Sequence, residues 1–212
     1  MVRRGKGIEK SGSSKKKLKV FVDYCPIKSN FAVMKHPLEK FRYCPVCGSK
    51  RFEVNNVKSK KCQACGFTYY MNPSAATVAV ITKESGRGEG LLLLVVRRGK
   101  EPAKGTLDLP GGFSDMGETS EEGVAREVLE ETGLRVTRTE FLFSLPNRYV
   151  YSGLEIPTMD MFYRCEIGDT DGAHAMDDAA DLMWIPLSEV DPSQFGLESI
   201  RLGVSKLLQM LK

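Results

Sequence analysis

The chain has 212 residues, 42% of them hydrophobic, and a formal net charge of +4 at pH 7. This length allows one domain of ordinary size plus a small module, and the apolar content permits a full core. The longest strongly apolar run, residues 91–96, is too short to cross a bilayer, which argues against a membrane protein. No long apolar stretch follows the N-terminal basic residues, so we expect no secretory signal and a cytoplasmic location.

Charge is distributed unevenly along the chain. Residues 1–70 contain 17 Lys and Arg against 4 Asp and Glu, a net +13, whereas residues 71–212 contain 14 against 23, a net −9. A basic N-terminal part (the basic front) and an acidic C-terminal part suggest separate modules. The basic part is suited to attracting phosphates and the acidic part to binding cations.

Residues 1–39 form a basic N-terminal extension. Its first 20 residues include eight Lys or Arg and almost nothing apolar, which predicts disorder. The cluster Lys15 to Lys19 has three interpretations: a nucleic-acid or localisation patch, a solvated tail, or a start codon set too early with Met34 as the true start. We favour the second and third of these.

Four cysteines define a small module over residues 40–72. They form two Cys-x2-Cys pairs separated by 14 residues: Cys44, Cys47, Cys62 and Cys65. Such pairs direct four thiolates at one point, which is the tetrahedral arrangement that Zn²⁺ prefers. With all four ligands from protein, the zinc would be structural, in a zinc ribbon too small to fold on its core alone. Two disulfides or a rubredoxin-like iron site are the alternatives.

Residues 73–212 follow an α/β pattern. Predicted strands cover 77–82, 91–98, 107–109, 136–144, 148–151, 158–166 and 182–185, and predicted helices cover 120–132 and 197–211. A turn is expected at 85–90, and a polar acidic loop at 168–180. Mixed strands with two helices predict a sheet sandwiched between helices.

The first helix carries an unusual acidic face. Thr119 and Glu122 have the spacing of a capping box, and Gly133 is placed to end the helix. Between them, one face carries three carboxylates within about one turn: Glu127, Glu130 and Glu131. Close like charges cost helix stability, and a divalent cation such as Mg²⁺ or Mn²⁺ would remove that penalty. The alternative is a merely solvated acidic helix.

The segment 112–134 reads GFSDMGETSEEGVAREVLEETGL, and it resembles the Nudix box at every signature position. The resemblance implies the Nudix α/β/α sandwich and metal-dependent hydrolysis of a pyrophosphate bond in a nucleoside diphosphate linked to another moiety. A zinc ribbon directly before such a domain resembles the NADH pyrophosphatases and the related ADP-ribose pyrophosphatases. A homodimer is expected because similar proteins often dimerise.

The resemblance also implies roles for particular residues. The three helix glutamates and the Gly111 carbonyl would bind Mg²⁺ or Mn²⁺. Arg126 and Glu118 would hold the metal-binding carboxylates in place, although Glu118 also suits a simple helix start. The general base is either a box glutamate or an acid from the loop before Trp184. Among those acids we favour Asp178 over Asp177 and Asp181, with loop capping as its alternative role.

Substrate contacts are less well defined by the sequence. Residues 144–152 match the NADH pyrophosphatase motif SQPWPFPxS only in part. Tyr149 and Tyr151 are expected either to stack a base or to pack the core. Arg98 and Arg148 are expected either to pair with phosphates or to lie on solvated faces.

The expected substrate is a small nucleotide such as NADH, ADP-ribose or an ADP-sugar. The alternatives are hydrolysis at the 5′ end of RNA, with the basic front steering the strand, and a non-catalytic ligand sensor or nucleic-acid-binding protein.

Overall fold

Two modules of β-structure follow one another in the computed structural model, which describes residues 36–86, 88, 90–169 and 172–211. The predictions for residues 1–35 lie outside the described residues. From His36 onward the chain clusters into one compact unit. No helix in the described part of the chain is long and apolar enough to cross a membrane.

The first module is a three-stranded antiparallel sheet of β1 (Phe52–Asn56), β2 (Ser59–Cys62) and β3 (Thr68–Tyr70). Its core is very small, because Cys44, Phe52 and Cys62 are its buried apolar residues and two phenylalanines pack against them. A core of this size cannot hold a module together, so the fold requires a further constraint. The four cysteines supply one that fits a zinc ribbon.

The second module contains seven strands and two helices. The strands are β4 (Ser74–Val80), β5 (Thr82–Glu84), β6 (Leu91–Arg98), β7 (Leu107–Asp108), β8 (Val136–Tyr151), β9 (Leu154–Ile167) and β10 (Ala179–Pro186). The helices are α1 (Ser120–Thr132) and α2 (Glu198–Met210), and two short 3-10 helices, Leu187–Glu189 and Pro192–Gln194, precede α2. One sheet has the order β10-β6-β5 with β7 on β6, and the other has the order β4-β9-β8, with β4 parallel to β9.

The two helices cover opposite faces of the strands. Val80 of β4 packs in the apolar cluster that contains Val204 of α2. Its neighbour Ile81 packs in the cluster that contains Val128 of α1. Because successive strand residues point to opposite faces, this alternation places a helix layer on each side. The predicted mixed α/β sandwich is therefore confirmed.

Strand β8 is longer than the sequence predicts. The expected strands 136–144 and 148–151 form one continuous strand, with Pro146 paired to Met159. Proline has no N–H to donate, but β8 is an edge strand, where half of the N–H groups need no partner. Similarly, the predicted strand 182–185 begins three residues earlier, at Ala179, where it pairs with Arg98.

Candidate active site

Helix α1 has the bounds and the caps that the sequence predicts. The Thr119 hydroxyl accepts from the Glu122 N–H at 3.2 Å, and the Glu122 carboxylate accepts from the Thr119 N–H at 2.7 Å. Gly133 ends the helix in the left-handed conformation with a φ of 71°. The helix buries Val124 and Val128 against the strands. These caps and this packing fix the direction in which its glutamates point.

A glycine loop crosses the site beside β4. The Ala79 N–H donates to the Pro110 carbonyl at 2.7 Å, and the Thr77 N–H donates to the Gly112 carbonyl at 2.8 Å. Gly111 lies between these bonds with a φ of 152°, and a Cβ there would lie 2.1 Å from the Thr77 carbonyl oxygen. Only glycine fits such an approach.

Two glutamates of α1 face this loop. A Cβ on Gly112 would lie 2.5 Å from the carboxylate carbon of Glu127. The Glu127 carboxylate therefore occupies the space that a side chain at position 112 would need. The Glu131 carboxylate accepts from the Gly111 N–H at 3.1 Å. Burial raises the pKa of both carboxyl groups, to about 8 for Glu131, where the negative charges of Asp108, Glu127 and Asp178 add to the effect. The protein alone therefore disfavours the charged form of this pair.

Arg126 organises the acidic residues around it. Its guanidinium donates to both oxygens of Glu118, at 3.1 and 2.8 Å, and its Nη1 donates to Glu127 and to Glu130, each at 2.9 Å. The hydrogen bonds that Glu118 accepts from Arg126, and then from the Asp115 N–H, lower its pKa to about 2. Arg126 therefore contacts Glu118 as well as Glu127 and Glu130 of the helix.

The chemistry of this site fits Mg²⁺ or Mn²⁺, although the three helix glutamates are not gathered at one point. Within the described ranges, only the four cysteines place three or more candidate ligand atoms within 4.8 Å of one another. Instead Arg126 bridges Glu127 and Glu130, while Glu131 bonds to Gly111. Carboxylate oxygens beside a glycine backbone are ligands that hard divalent cations prefer, and a cation there would offset the cost of charging the two buried glutamates.

A cavity of about 360 Å³ opens beside the glycine loop. Of the residues that the sequence singled out, it is lined by Gly111, Arg126, Glu127, Glu130, Glu131, Asp177, Asp178, Arg98 and Tyr149. Glu118, Arg148, Tyr151 and Asp181 do not line it, and Tyr151 is 61% exposed. The volume is sufficient for a small organic ligand.

Asp178 reaches the cavity from the loop before β10. It forms an ion pair with Lys100, a residue that the sequence did not single out. The Asp178 carbonyl accepts from the Gly99 N–H at 2.8 Å, so the backbone is held at the end of β6. The preceding Asp177 has a φ of 47°, which is unusual outside glycine. The backbone at Asp178 is therefore fixed, and Asp178 lines the same cavity as the helix glutamates.

The Arg98 guanidinium bonds to other protein side chains, which neither prediction from the sequence included. Its Nη1 donates to Asp108 at 2.5 Å, and its Nη2 donates to the Tyr149 hydroxyl at 3.3 Å. Burial raises the pKa of Asp108, and the positive charge of Arg98 opposes that shift. Tyr149 also makes an edge-to-face contact with Phe113, with the ring centroids 5.3 Å apart. The sequence did not single out Asp108, because its only unusual feature is that it is a charged residue in a short apolar strand.

The four cysteines of the ribbon converge. Sγ of Cys44 lies 3.7 Å from Sγ of Cys65, and Sγ of Cys47 lies 3.6 Å from Sγ of Cys62. A disulfide needs about 2.05 Å, whereas tetrahedral zinc with bonds of about 2.3 Å separates its sulfurs by about 3.8 Å. The Cys65 backbone N–H helps to hold the pKa of the Cys62 thiol at about 6, against the opposing effect of burial. This arrangement excludes the disulfide alternative in this structure and fits a zinc ion.

Known proteins resemble this chain in sequence and in fold. The chain is 26% identical over 157 residues to the NAD-capped RNA hydrolase NudC of Vibrio parahaemolyticus, covering 74% of this chain and 55% of that protein. It is 35% identical over 101 residues to the ADP-ribose pyrophosphatase of Methanocaldococcus jannaschii, covering 47% and 55%. The chain thus spans about half the length of these curated relatives.

A NUDIX hydrolase structure from Nitrosomonas europaea has the same fold, with a TM-score of 0.61 and 21% identity over 79% of this chain and 90% of that one. The NUDIX domain family matches residues 71–204, a span that contains the glycine loop, the capped acidic helix and the strands around the cavity. The chain belongs to the Nudix hydrolase family.

Proposed function

We propose that this protein is a metal-dependent hydrolase of the pyrophosphate bond in a nucleoside diphosphate linked to another moiety. The observation that carries the proposal is the meeting of two half-buried carboxylates, Glu127 and Glu131, with the glycine loop at the wall of the cavity. Burying two carboxylates side by side costs stability unless a cation compensates for it. A purely structural helix would gain nothing from this arrangement.

We assign different roles in such a reaction to different residues of the site. Glu127, Glu130, Glu131 and the Gly111 carbonyl are the groups that we propose hold Mg²⁺ or Mn²⁺. When bound, such an ion polarises a phosphoryl oxygen and lowers the pKa of a bound water. Arg126 keeps Glu127 and Glu130 oriented through its bonds to both, and Glu118 anchors Arg126.

Asp178 is our candidate for the general base. It lies on the wall of the cavity, and its charge is close enough to raise the pKa of Glu131. Its carboxylate forms an ion pair with Lys100. A positioned carboxylate is a group that can act as a general base. The loop that carries it is separate from the metal-binding helix, and both contribute residues to the same cavity.

The proposed substrates are NADH, ADP-ribose or an ADP-sugar. Relatives of this chain are named for NAD-capped RNA and for ADP-ribose, which share an adenosine diphosphate group. The fold also occurs in the NUDIX domain of Shewanella oneidensis NrtR, whose structure was determined with ADP ribose. The cavity adds aromatic rings, Phe113 and Tyr149, and an arginine, Arg98, beyond the acidic end.

A substrate panel tests this proposal. The protein is incubated with NADH, NAD⁺, ADP-ribose, ADP-glucose and dinucleoside polyphosphates in Mg²⁺ or Mn²⁺, and the products are identified by mass. We expect cleavage between the two phosphorus atoms for at least one nucleoside diphosphate derivative, and none in chelator. Tight binding of a dinucleotide without turnover would instead favour a ligand sensor.

A second candidate function is hydrolysis at the 5′ end of RNA, which the basic front of the chain favours. The ribbon module exposes Lys and Arg side chains together with Tyr43 and Tyr70, which are 55% and 46% exposed. Phosphate contacts make nucleic-acid binding strongly dependent on salt, and exposed rings can stack bases. We expect activity on a capped RNA to fall steeply between 50 and 200 mM salt, the range over which such contacts weaken. Activity on NADH, measured in parallel, is expected to change little.

The remaining assignments are part of the same proposal. The cysteine cluster holds a structural zinc, because all four ligands come from protein and, among the described residues, no cysteine lines the cavity. Residues 40–72 form that module and residues 73–212 form the hydrolase domain. We also propose that the chain forms a homodimer in solution, to be checked by light scattering.

A further inference from the structure

A buried carboxylate lies in the cavity wall away from the metal-binding helix. Asp160, in the middle of β9, is 4% exposed. Its Oδ1 accepts from the Thr158 hydroxyl at 2.6 Å, and its Oδ2 accepts from the Ser199 hydroxyl at 2.5 Å and from Asn147 Nδ2 at 3.0 Å. These donors come from β9, α2 and β8. A buried carboxylate is costly and an apolar residue would serve packing better, so this network suggests a task other than stability.

The network fixes the orientation of one amide. Asn147 must turn its NH2 group toward Asp160, because the opposite orientation would place its carbonyl oxygen against a carboxylate. Asn147 Oδ1 then points away from Asp160. No donor among the described residues bonds to this oxygen. It is also not one of the side-chain polar atoms that are both fully buried and unpaired. Because Asn147 lines the cavity, its oxygen is an acceptor offered to a ligand.

The surroundings of this acceptor suit a flat aromatic ligand. Leu197 and Ile200, at the start of α2, line the same cavity, as do Phe113 and Tyr149. Thr158 and Asp160, which also line it, have their side-chain polar atoms engaged with each other. Asn147 Oδ1 is therefore a neutral acceptor on this wall, and the bond to Asp160 sets its orientation.

We propose that Asn147, locked by Asp160, is a specificity determinant that reads an exocyclic –NH2 group on the base of the substrate. This inference rests on the proposed function, because it concerns the same cavity. Two parts of a dinucleotide carry such a donor: the amino group of adenine and the carboxamide of nicotinamide. Replacing either –NH2 with an oxygen would place an acceptor against an acceptor, which removes a hydrogen bond and adds repulsion.

The test compares each –NH2 substrate with its oxygen analogue. The values of kcat/KM are measured for NADH, for its hypoxanthine analogue and for its nicotinic acid analogue, and for ADP-ribose against IDP-ribose. We expect a preference for the amine on the order of 10- to 100-fold at one of the two bases, mainly through KM. The base at which it appears identifies the group that is read. Equal kcat/KM for all pairs, with normal turnover, would overturn the proposal.

Two variants separate specificity from structure. In Asp160→Asn the substituted amide can either donate to or accept from Asn147, so both orientations of Asn147 are satisfied and the preference for the amine falls about tenfold. Ser199→Ala removes another donor to the same carboxylate but keeps the bond to Asn147, so the preference is retained. A merely structural network would alter the melting temperature in both variants and leave the preference unchanged, which would also overturn the proposal.

Binding without turnover distinguishes the failure of this inference from failure of the proposed function. ADP and IDP are titrated calorimetrically into the full chain and into Asp160→Asn, with metal omitted. A preference for ADP that the variant loses supports recognition of the adenine amino group, even if no substrate is cleaved. Normal turnover with equal affinity for both bases, and no discrimination at nicotinamide, rejects the inference and leaves the hydrolase proposal intact.

Discussion

Replacing Glu131 with glutamine is expected to reduce turnover on the order of 10³-fold. The change removes one negative charge from the site and leaves only a weak neutral ligand for the cation. The substituted amide keeps an oxygen that can accept the Gly111 N–H, which Glu131 accepts at 3.1 Å. The loss should therefore appear in kcat, measured on the best substrate of the panel at saturating Mg²⁺.

Stability should not fall with activity. Burial raises the pKa of Glu131 to about 8, well above its ordinary value, so the metal-free protein is destabilised by ionisation of this group as the pH rises from its ordinary pKa to about 8. Glutamine removes that cost, and we expect the melting temperature at neutral pH without metal to be unchanged or higher. A variant that is inactive because it is unfolded would contradict this account.

Glu121→Gln is the matched control. Glu121 lies on the same helix, in its first turn, where it is exposed and bonded to the Ser120 hydroxyl. The substitution removes the same charge as Glu131→Gln does, but Glu121 is not among the residues that line the cavity. Normal turnover in this control, beside a large loss in Glu131→Gln, assigns the effect to the position rather than to the net charge of the helix.

The elements that the sequence predicts best are those with local signals. Helix α1 spans the predicted residues because Thr119, Glu122 and Gly133 are caps that act within a few residues of the helix ends. Strand β6 also has its predicted bounds, since a continuous apolar run is followed by charged residues. The bond between Arg126 and Glu118 is also short-range in sequence, because the two residues lie eight positions apart.

The half of the cavity away from the acidic helix could not be predicted in this way. Arg98 meets Tyr149 across 51 positions and Ser199 meets Asp160 across 39, and both contacts depend on which strands are neighbours. No periodic pattern contains that information. Asp160 lies between two methionines in the middle of β9, which marks it as unusual, but only the fold shows that α2 and β8 supply its donors. Substrate specificity therefore depends on the part of the site that the sequence describes least.

Replacing Cys62 with serine is expected to remove the metal from the ribbon and to unfold that module. Cys62 is 1% exposed and lies in the small apolar core that also contains Cys44 and Phe52. Zinc binding contributes about 10–16 kcal/mol in zinc-finger peptides at neutral pH, far more than such a core can supply. Elemental analysis should show zinc falling from one per chain to a small fraction, and proteolysis should cut within residues 40–72.

The hydrolase domain should survive this loss. Among the described residues, none of the ribbon lines the cavity, so kcat for a small substrate should change much less than in Glu131→Gln. Cys165→Ala is the control, because it removes a buried thiol that lies in the core of the second module, away from the cysteine cluster. It should keep a full equivalent of zinc. Stoichiometric zinc in Cys62→Ser would contradict the structural site, whereas loss of zinc with complete loss of small-substrate turnover would show that the two modules do not fold independently.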